Sequence, residues 1–470
     1  MAHSDLDIRD PQPATLTALL ADRARTQPDD LAFGFLSDGT TIRDRVTYAE
    51  LDRAARRIAG MLRGERVRNE PVLLLYAPSL DYVAAFFGCL YAGAIAVPAY
   101  PPHRNRSLDR LQSIVRDSGA RVVLCSQAVY ESLSQSLADA PELQHRHWIA
   151  TDAPGVDAPP YFDEGARPDT LAFLQYTSGS TSTPKGVMLS HGNLFHNAQL
   201  ITRGFNLGRD SAAVFWLPLY HDMGLIGGVL QPMQIGRPSY LMAPASFLAR
   251  PMRWLQAVSH FRATISGAPN FAYELCVDKA TPEEIAQLDL SRWVVAFNGA
   301  EPVRADTLRR FAETFAPCGF RPEAAYPCYG LAESTLIVTG GGHDHPPVTL
   351  SISRQQLEQH RVEAIAETDP DARVVVGCGS PLLDQRVIIV DPETLAECPP
   401  DRPGEIWIAG PSVAQGYWRR PELSAETFAA RTADGDGPYL RTGDLGFLHG
   451  GDLFVTGRIK DLIILRGRNH

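Results

Sequence analysis

The chain has 470 residues, 44% hydrophobic and 21% charged, an ordinary globular balance with room for several sub-structures. A formal net charge of −10 argues against non-specific binding to nucleic acid or to an anionic membrane surface. Seven scattered cysteines, with no Cys-x-x-Cys pair, read as free thiols in a reducing compartment. The N-terminus, Met1-Ala2-His3-Ser4-Asp5, lacks a signal-peptide pattern, so the expected location is the cytoplasm.

Val72-Leu73-Leu74-Leu75-Tyr76 reads as a buried parallel strand. The longest apolar run, Tyr82 to Tyr100, holds two glycines and a proline; it reads as a buried helix followed by a strand, not as a stable membrane insertion. Arg121 to Cys125 and Leu171 to Tyr176 are further strands, and Arg146 to Arg167 is a Pro/Asp/Ala-rich surface connection. Thr264-Ile265 and Trp293 to Phe297 continue the series, with a helix over Asp306 to Phe315. This βαβ rhythm predicts an α/β protein with two doubly wound subdomains. After about Gly340 the pattern changes to short strands between Pro, Gly and Asp turns (Arg386 to Asp391, Gly404 to Ile408, Asp452 to Thr456), which predicts a small β-barrel-like subdomain or distorted sheet.

The stretch most loaded with chemistry is Leu174 to Leu189, a strand that opens into Thr177-Ser178-Gly179-Ser180-Thr181-Ser182-Thr183 and closes on Pro184-Lys185-Gly186. Backbone N–H groups and hydroxyls there suit phosphate oxygens, glycine permits close approach, and one lysine supplies charge. It is not a Walker A loop, because Pro184 stands where the second glycine belongs. Four more segments follow in order: Asn298 to Pro302, Tyr326 to Thr335, Tyr439 to Gly446 and Gly457 to Ile464. Taken singly, each also reads as a plain turn or a charged helix end.

Together the five segments resemble the adenylate-forming superfamily of acyl-CoA synthetases, fatty acyl-AMP ligases, luciferases and peptide-synthetase adenylation domains. One departure is Ser182, where the family usually has glycine. The resemblance implies an AMP-binding large domain over residues 12–460. It divides into α/β subdomains at 12–190 and 191–345, an insertion at 346–376, a β-rich part at 377–459 and a hinge region at 460–470. It implies that ATP and Mg²⁺ are used. Thr177, Ser178, Gly179, Ser180, Thr181 and Lys185 would hold phosphates. Gly299, Ala300 and Glu301, with Tyr329, Gly330, Leu331 and Ala332, would hold adenine. Asp444 and Arg458 would hold ribose and phosphate, Thr181 and Glu333 would hold Mg²⁺, and Lys460 would be the hinge. A carboxylate at Glu333 suits a hard cation that keeps several waters.

Three features resemble the fatty acyl-AMP ligases in particular. Pro218 to Ile226, carrying His221, Asp222, Met223 and Gly224, and Ser266 to Cys276, carrying Asn270 and Phe271, are apolar segments with small residues, suited to an acyl tunnel or to a plain core. A ten-carbon chain buried there offers roughly 8 kcal/mol. Forty-six positions separate Glu333 from Gly379, a longer link than common acyl-CoA synthetases use. In the ligases such an insertion accompanies delivery to an acyl carrier protein instead of coenzyme A; as a plain surface loop it would also cost little. Phe215 to Leu219 offers no acid for a substrate ammonium, which disfavours amino-acid activation.

The expected reaction joins a medium- or long-chain fatty acid to ATP, giving acyl-AMP and pyrophosphate, with Lys185, His221 and Glu333 as catalytic residues. Beyond the hinge the family continues with a swinging domain of about a hundred residues bearing a further catalytic lysine. The chain is therefore expected to be the large domain of a longer protein, weakly active by itself. An acyl-CoA synthetase remains the alternative within the class. A non-catalytic acyl-adenylate or ATP sensor, or a carrier-docking module, remains the alternative from another.

Overall fold

The computed structural model describes residues 14–101, 107–134, 137, 140–153, 158–163, 165–177, 184–461, 464–465 and 468–469. The chain forms two compact units. Unit one takes the described residues of Met1–Ala198 together with Ala212–Phe247 and Ala414–Pro421; unit two takes Gln199–Ser211, Leu248–Val413 and the described residues of Glu422–His470.

Unit one contains a six-stranded sheet in the order His147–Ala150, Val122–Cys125, Pro71–Leu75, Ile95–Ala99, Leu171–Tyr176, Gly186–Ser190. The first five strands are parallel and Gly186–Ser190 runs antiparallel at the edge. Strands such as Pro71–Leu75 are buried along their whole length, because helices cover both faces of a parallel sheet and no position can face water. The apolar run from Tyr82 folds as expected, into helix Leu80–Tyr91 and strand Ile95–Ala99. One expectation is corrected. The region from Arg146 is not wholly a connection, since His147–Ala150 pairs with Val122–Cys125 as the edge strand. Four residues with only partial burial carry too little periodicity to be seen in sequence. Unit one also pairs Leu31–Leu36 with Ser239–Met242 in parallel and with Ile42–Thr47 antiparallel. The helix Tyr48–Leu62 that follows starts on a capping box made by Thr47 and Glu50.

In unit two the strands Ile265–Ala268, Val295–Asn298 and Ala325–Gly330 are parallel, and Ile337–Gly340 then turns back antiparallel on Ala325–Gly330. Trp254, Tyr273, Trp293 and Phe311 are all buried beside these strands, with Trp254 and Tyr273 edge to face at 5.3 Å between ring centres. The β-rich part is an open four-stranded antiparallel sheet, ordered Arg386–Val390, Gly404–Ala409, Leu440–His449, Asp452–Arg458, not a closed barrel. The segment expected to be an insertion forms a hairpin, Thr349–Ser353 against Ala372–Val376, with helix Arg354–Glu358 between the strands. Ile352 and Val375 of the hairpin pack with Phe447 and Phe454, which stack at 5.1 Å. Arg373 donates to the Thr456 carbonyl at 3.3 Å. The hairpin is thereby tied to the two strands that lead towards Lys460.

All seven cysteines are unpaired. Among the described residues, no helix is long and apolar enough to cross a membrane.

His191 in unit one is buried, and its Nδ1 accepts from the Leu16 backbone N–H at 3.1 Å, at the start of helix Leu16–Thr26. Burial pulls its pKa from 6.5 down to about 4. Between these values the unfolded chain binds the extra proton and the folded chain does not. This contribution is therefore fully present above pH 6.5 and is lost as pH falls towards 4, by about 3 kcal/mol at most. Denaturant titrations at pH 7 and pH 5 should show wild-type stability dropping on acidification, with a smaller drop in His191→Gln. Equal drops would contradict this assignment.

Candidate active site

In unit one the segment expected to hold phosphates follows the carboxyl end of strand Leu171–Tyr176. Thr177 and Lys185 close the loop through a backbone hydrogen bond of 3.4 Å. Ser178, Gly179, Ser180 and Thr181, all predicted phosphate contacts, and Ser182 lie outside the described residues. The loop's base is braced on both sides. The Tyr176 hydroxyl donates to Asp117 at 2.7 Å, and Arg420 donates to Asp117 at 2.6 Å and to the Pro184 carbonyl at 3.4 Å. The Lys185 ammonium lies 5.0 Å from the centre of the Tyr417 ring, a cation–π approach that aligns it. At Gly186 a Cβ would sit 3.0 Å from the Tyr176 ring, so a larger residue would push that ring aside by a few tenths of an ångström.

The segment bearing His221 belongs to the same unit. Gln175, buried in the strand, donates through Nε2 to the Tyr220 carbonyl at 3.0 Å and so ties the loop's strand to that segment. His221 packs on Tyr220 at 4.8 Å, and Tyr220 on Tyr100 at 5.0 Å. Burial, assisted by the charge of Arg110, lowers the His221 pKa and favours the neutral imidazole. Asp222 accepts from the Met223 N–H at 2.7 Å, and burial pushes its carboxyl up. Met223–Leu230 winds as a π-helix, a form that collects at functional sites. Gly224 enters it where a Cβ would lie 2.0 Å from the Pro218 carbonyl oxygen, so no larger residue fits.

Unit two gathers the residues expected at adenine and ribose. The turn Asn298-Gly299-Ala300-Glu301 follows strand Val295–Asn298, with Ala300 in the left-handed region at φ 70°. Glu301 accepts from the Phe271 N–H at 2.6 Å, at the start of helix Asn270–Lys279. Asn270 is buried and gives its side chain to a network: its Oδ1 accepts from the Arg304 N–H at 3.1 Å, and its Nδ2 donates to Thr307 at 3.0 Å. Asn270 and Glu301 thus brace the turn. Phe271 is among the more exposed large apolar residues, at 38%.

The penultimate residue of strand Ala325–Gly330 is Tyr329, whose hydroxyl donates to Asp444 at 2.8 Å, while Arg458 donates to the other Asp444 oxygen at 3.1 Å. Burial raises the Asp444 pKa, and these two contacts work against that rise. Leu331 leads into the single helical turn Ala332–Ser334, on which Glu333 is half-buried. Lys460 is exposed on another single turn, Ile459–Asp461.

Sequence reading missed Glu405. This carboxylate is 2% exposed; its Oε2 accepts from Arg441 at 3.0 and 2.8 Å, and its Oε1 accepts from the Gly443 N–H at 3.1 Å. It fixes the Arg441–Asp444 stretch of strand Leu440–His449, where the pairing with Gly404–Ala409 shifts register. The signal was present: an acid inside the apolar run Gly404 to Ile408 must be paired. Gln175 carries the same signal within Leu171–Tyr176. Among the described residues, no group of three or more His, Cys, Asp or Glu is placed to hold a metal ion. Any cation at Glu333 would share one carboxylate with substrate oxygens and water, a donor set that fits Mg²⁺.

The chain belongs to the AMP-binding enzyme family, which it matches over residues 20–418. It is 47% identical over 468 residues to the medium-chain-fatty-acid–[acyl-carrier-protein] ligase JamA of Moorena producens, covering 98% of this chain and 79% of that one. It is 38% identical to TtuA of Teredinibacter turnerae, a ligase of the same description, with 95% and 77% covered. Among solved structures, a fatty acyl-adenylate ligase from L. pneumophila in complex with acyl adenylate and pyrophosphate superimposes with a TM-score of 0.89. The identity is 43%, with 96% of this chain and 78% of that one covered. Like other adenylate-forming enzymes, this chain uses ATP.

Glu405→Gln removes the charge from the buried clamp and is expected to cost about 2–3 kcal/mol of unfolding free energy. Because the strand around Asp444 loosens, AMP affinity should fall about tenfold, equivalent to ~1.4 kcal/mol. An unchanged AMP affinity measured by calorimetry would contradict a role for Glu405 in shaping that stretch.

Proposed function

We propose that this chain activates a medium- or long-chain fatty acid with ATP, forming acyl-AMP and pyrophosphate, and passes the acyl group to an acyl carrier protein. The observation that carries this reading is 47% identity, over 98% of the chain, to an acyl-carrier-protein ligase. The Tyr329–Asp444–Arg458 arrangement supports it at the expected ribose position.

The attacking carboxylate is ionised at neutral pH, so no general base is needed. The protein's work is to align it with the α-phosphate and to neutralise charge. Lys185, with the loop from Thr177 to Thr181, would grip the phosphates. Gly299 to Glu301, Tyr329 and Gly330 to Ala332 would bound the adenine, and Asp444 would take the ribose hydroxyls with Arg458 beside it. Glu333, with Thr181, would hold Mg²⁺, which when bound screens the repulsion between carboxylate and triphosphate. His221, kept neutral by burial, would line the head of the acyl site without adding a second cation, with Asp222, Met223 and Gly224 directly after it in sequence; Asn270 and Phe271 are the further acyl contacts that the resemblance implies. The cytoplasm is the location that fits seven unpaired cysteines.

Choice of acceptor is read from the hairpin at 349–376. It packs on Phe447 and Phe454 and holds the Thr456 carbonyl, so it braces the strands approaching Lys460. Bracing beside a hinge opposes the swing that thioester formation to coenzyme A would require.

Protein extended through its native C-terminus should be incubated with ATP, Mg²⁺, a ladder of fatty acids and coenzyme A, and its products identified by mass spectrometry. Acyl-AMP without acyl-CoA is the expected result, with acyl transfer once a carrier protein is added. Abundant acyl-CoA would overturn the acceptor assignment, and absence of acyl-AMP with every acid would overturn the activity.

A further inference from the structure

Thr335 lies two residues after Glu333 and has φ 69° and ψ −67°. The Leu336 N–H donates to the Ser334 carbonyl at 2.8 Å, closing a three-residue γ-turn around it. This form of γ-turn is rare and strained, and a β-branched residue at positive φ is an outlier. Such strain persists only where its surroundings fix it, and it gathers at functional sites.

The surroundings here are specific. Thr335 is fully buried, and its hydroxyl donates to the Ser412 carbonyl at 2.6 Å. Its N–H donates to the Ala332 carbonyl at 3.0 Å, so the γ-turn is continuous with the turn that bears Glu333. The reversal also brings the Leu336 carbonyl oxygen to 1.7 Å from where a Cβ on Gly330 would lie. After it the chain pairs back on strand Ala325–Gly330, with a register shift between Tyr329 and Gly330. The Thr335 hydroxyl is therefore one of the bonds that fix the far end of the path from Tyr329 to Glu333.

We propose that Thr335 is a positioning residue for Glu333: its bond to Ser412 holds a strained γ-turn that fixes the Glu333 carboxylate for Mg²⁺-bound nucleotide. The inference rests on the proposed role of Glu333.

The test titrates this chain with ATP by calorimetry, once with excess Mg²⁺ and once in EDTA, for wild type and for Thr335→Val, Thr335→Ser and Thr335→Gly. Valine keeps the shape without the hydroxyl. It should weaken binding in Mg²⁺ about 10- to 100-fold, the usual effect of losing a second-layer partner, and leave binding in EDTA unchanged. Serine should restore the wild-type Mg²⁺ effect. If the valine variant does not fold, Thr335→Gly carries the test, because glycine accepts the positive φ and lacks the hydroxyl; it should show the same selective loss. Equal losses with and without Mg²⁺ would reduce Thr335 to a structural role, and no loss would overturn the proposal. Wild-type chain whose ATP binding ignores Mg²⁺ would instead overturn the metal role of Glu333.

Discussion

Asp444 is the residue at which three strands of unit two are joined. Its two oxygens are held from different strands, by the Tyr329 hydroxyl and by the Arg458 guanidinium. Its own N–H donates to the Thr442 hydroxyl at 3.0 Å, and Glu405 fixes Gly443 just before it. A carboxylate this enclosed would be costly without partners, because burial disfavours its charge. The partners keep an acceptor available, and they lock the end of the Tyr329 strand to the strand that runs into Lys460.

In unit one, the end of strand Leu171–Tyr176 is tied to neighbouring elements. Tyr176, Asp117, Arg420 and Pro184 pin the two ends of the Thr177–Lys185 segment, and Gln175 links it to Tyr220. Each unit therefore shows the same construction: polar groups at strand ends are held by side-chain hydrogen bonds from neighbouring elements. That is what pre-organisation demands, since a group that must be ordered during reaction forfeits the benefit of position.

The sequence carried much of this. Fully buried strands such as Pro71–Leu75 are continuous apolar runs, and the glycine-rich and acidic motifs lie in order along the chain. What it hid was short or conformational. His147–Ala150 is four residues of mixed burial and gave no period. The strain at Thr335 leaves no trace in composition, because the residue type is one that a left-handed φ disfavours. Glu301 also accepts from the Phe271 N–H, a pairing between segments thirty residues apart that no motif announces. Glu405 and Gln175 were legible in principle, as polar residues inside apolar runs.

Asp444 is the proposed seat of the ribose of an acyl-adenylate. The most direct measurement is calorimetric titration with a non-hydrolysable acyl-sulfamoyl adenosine, comparing wild type with Asp444→Asn. One-site binding to wild type, weakened about tenfold or more in the variant while its thermal stability is retained, is the predicted result. Equal binding by both proteins, or none by wild type, would contradict the account.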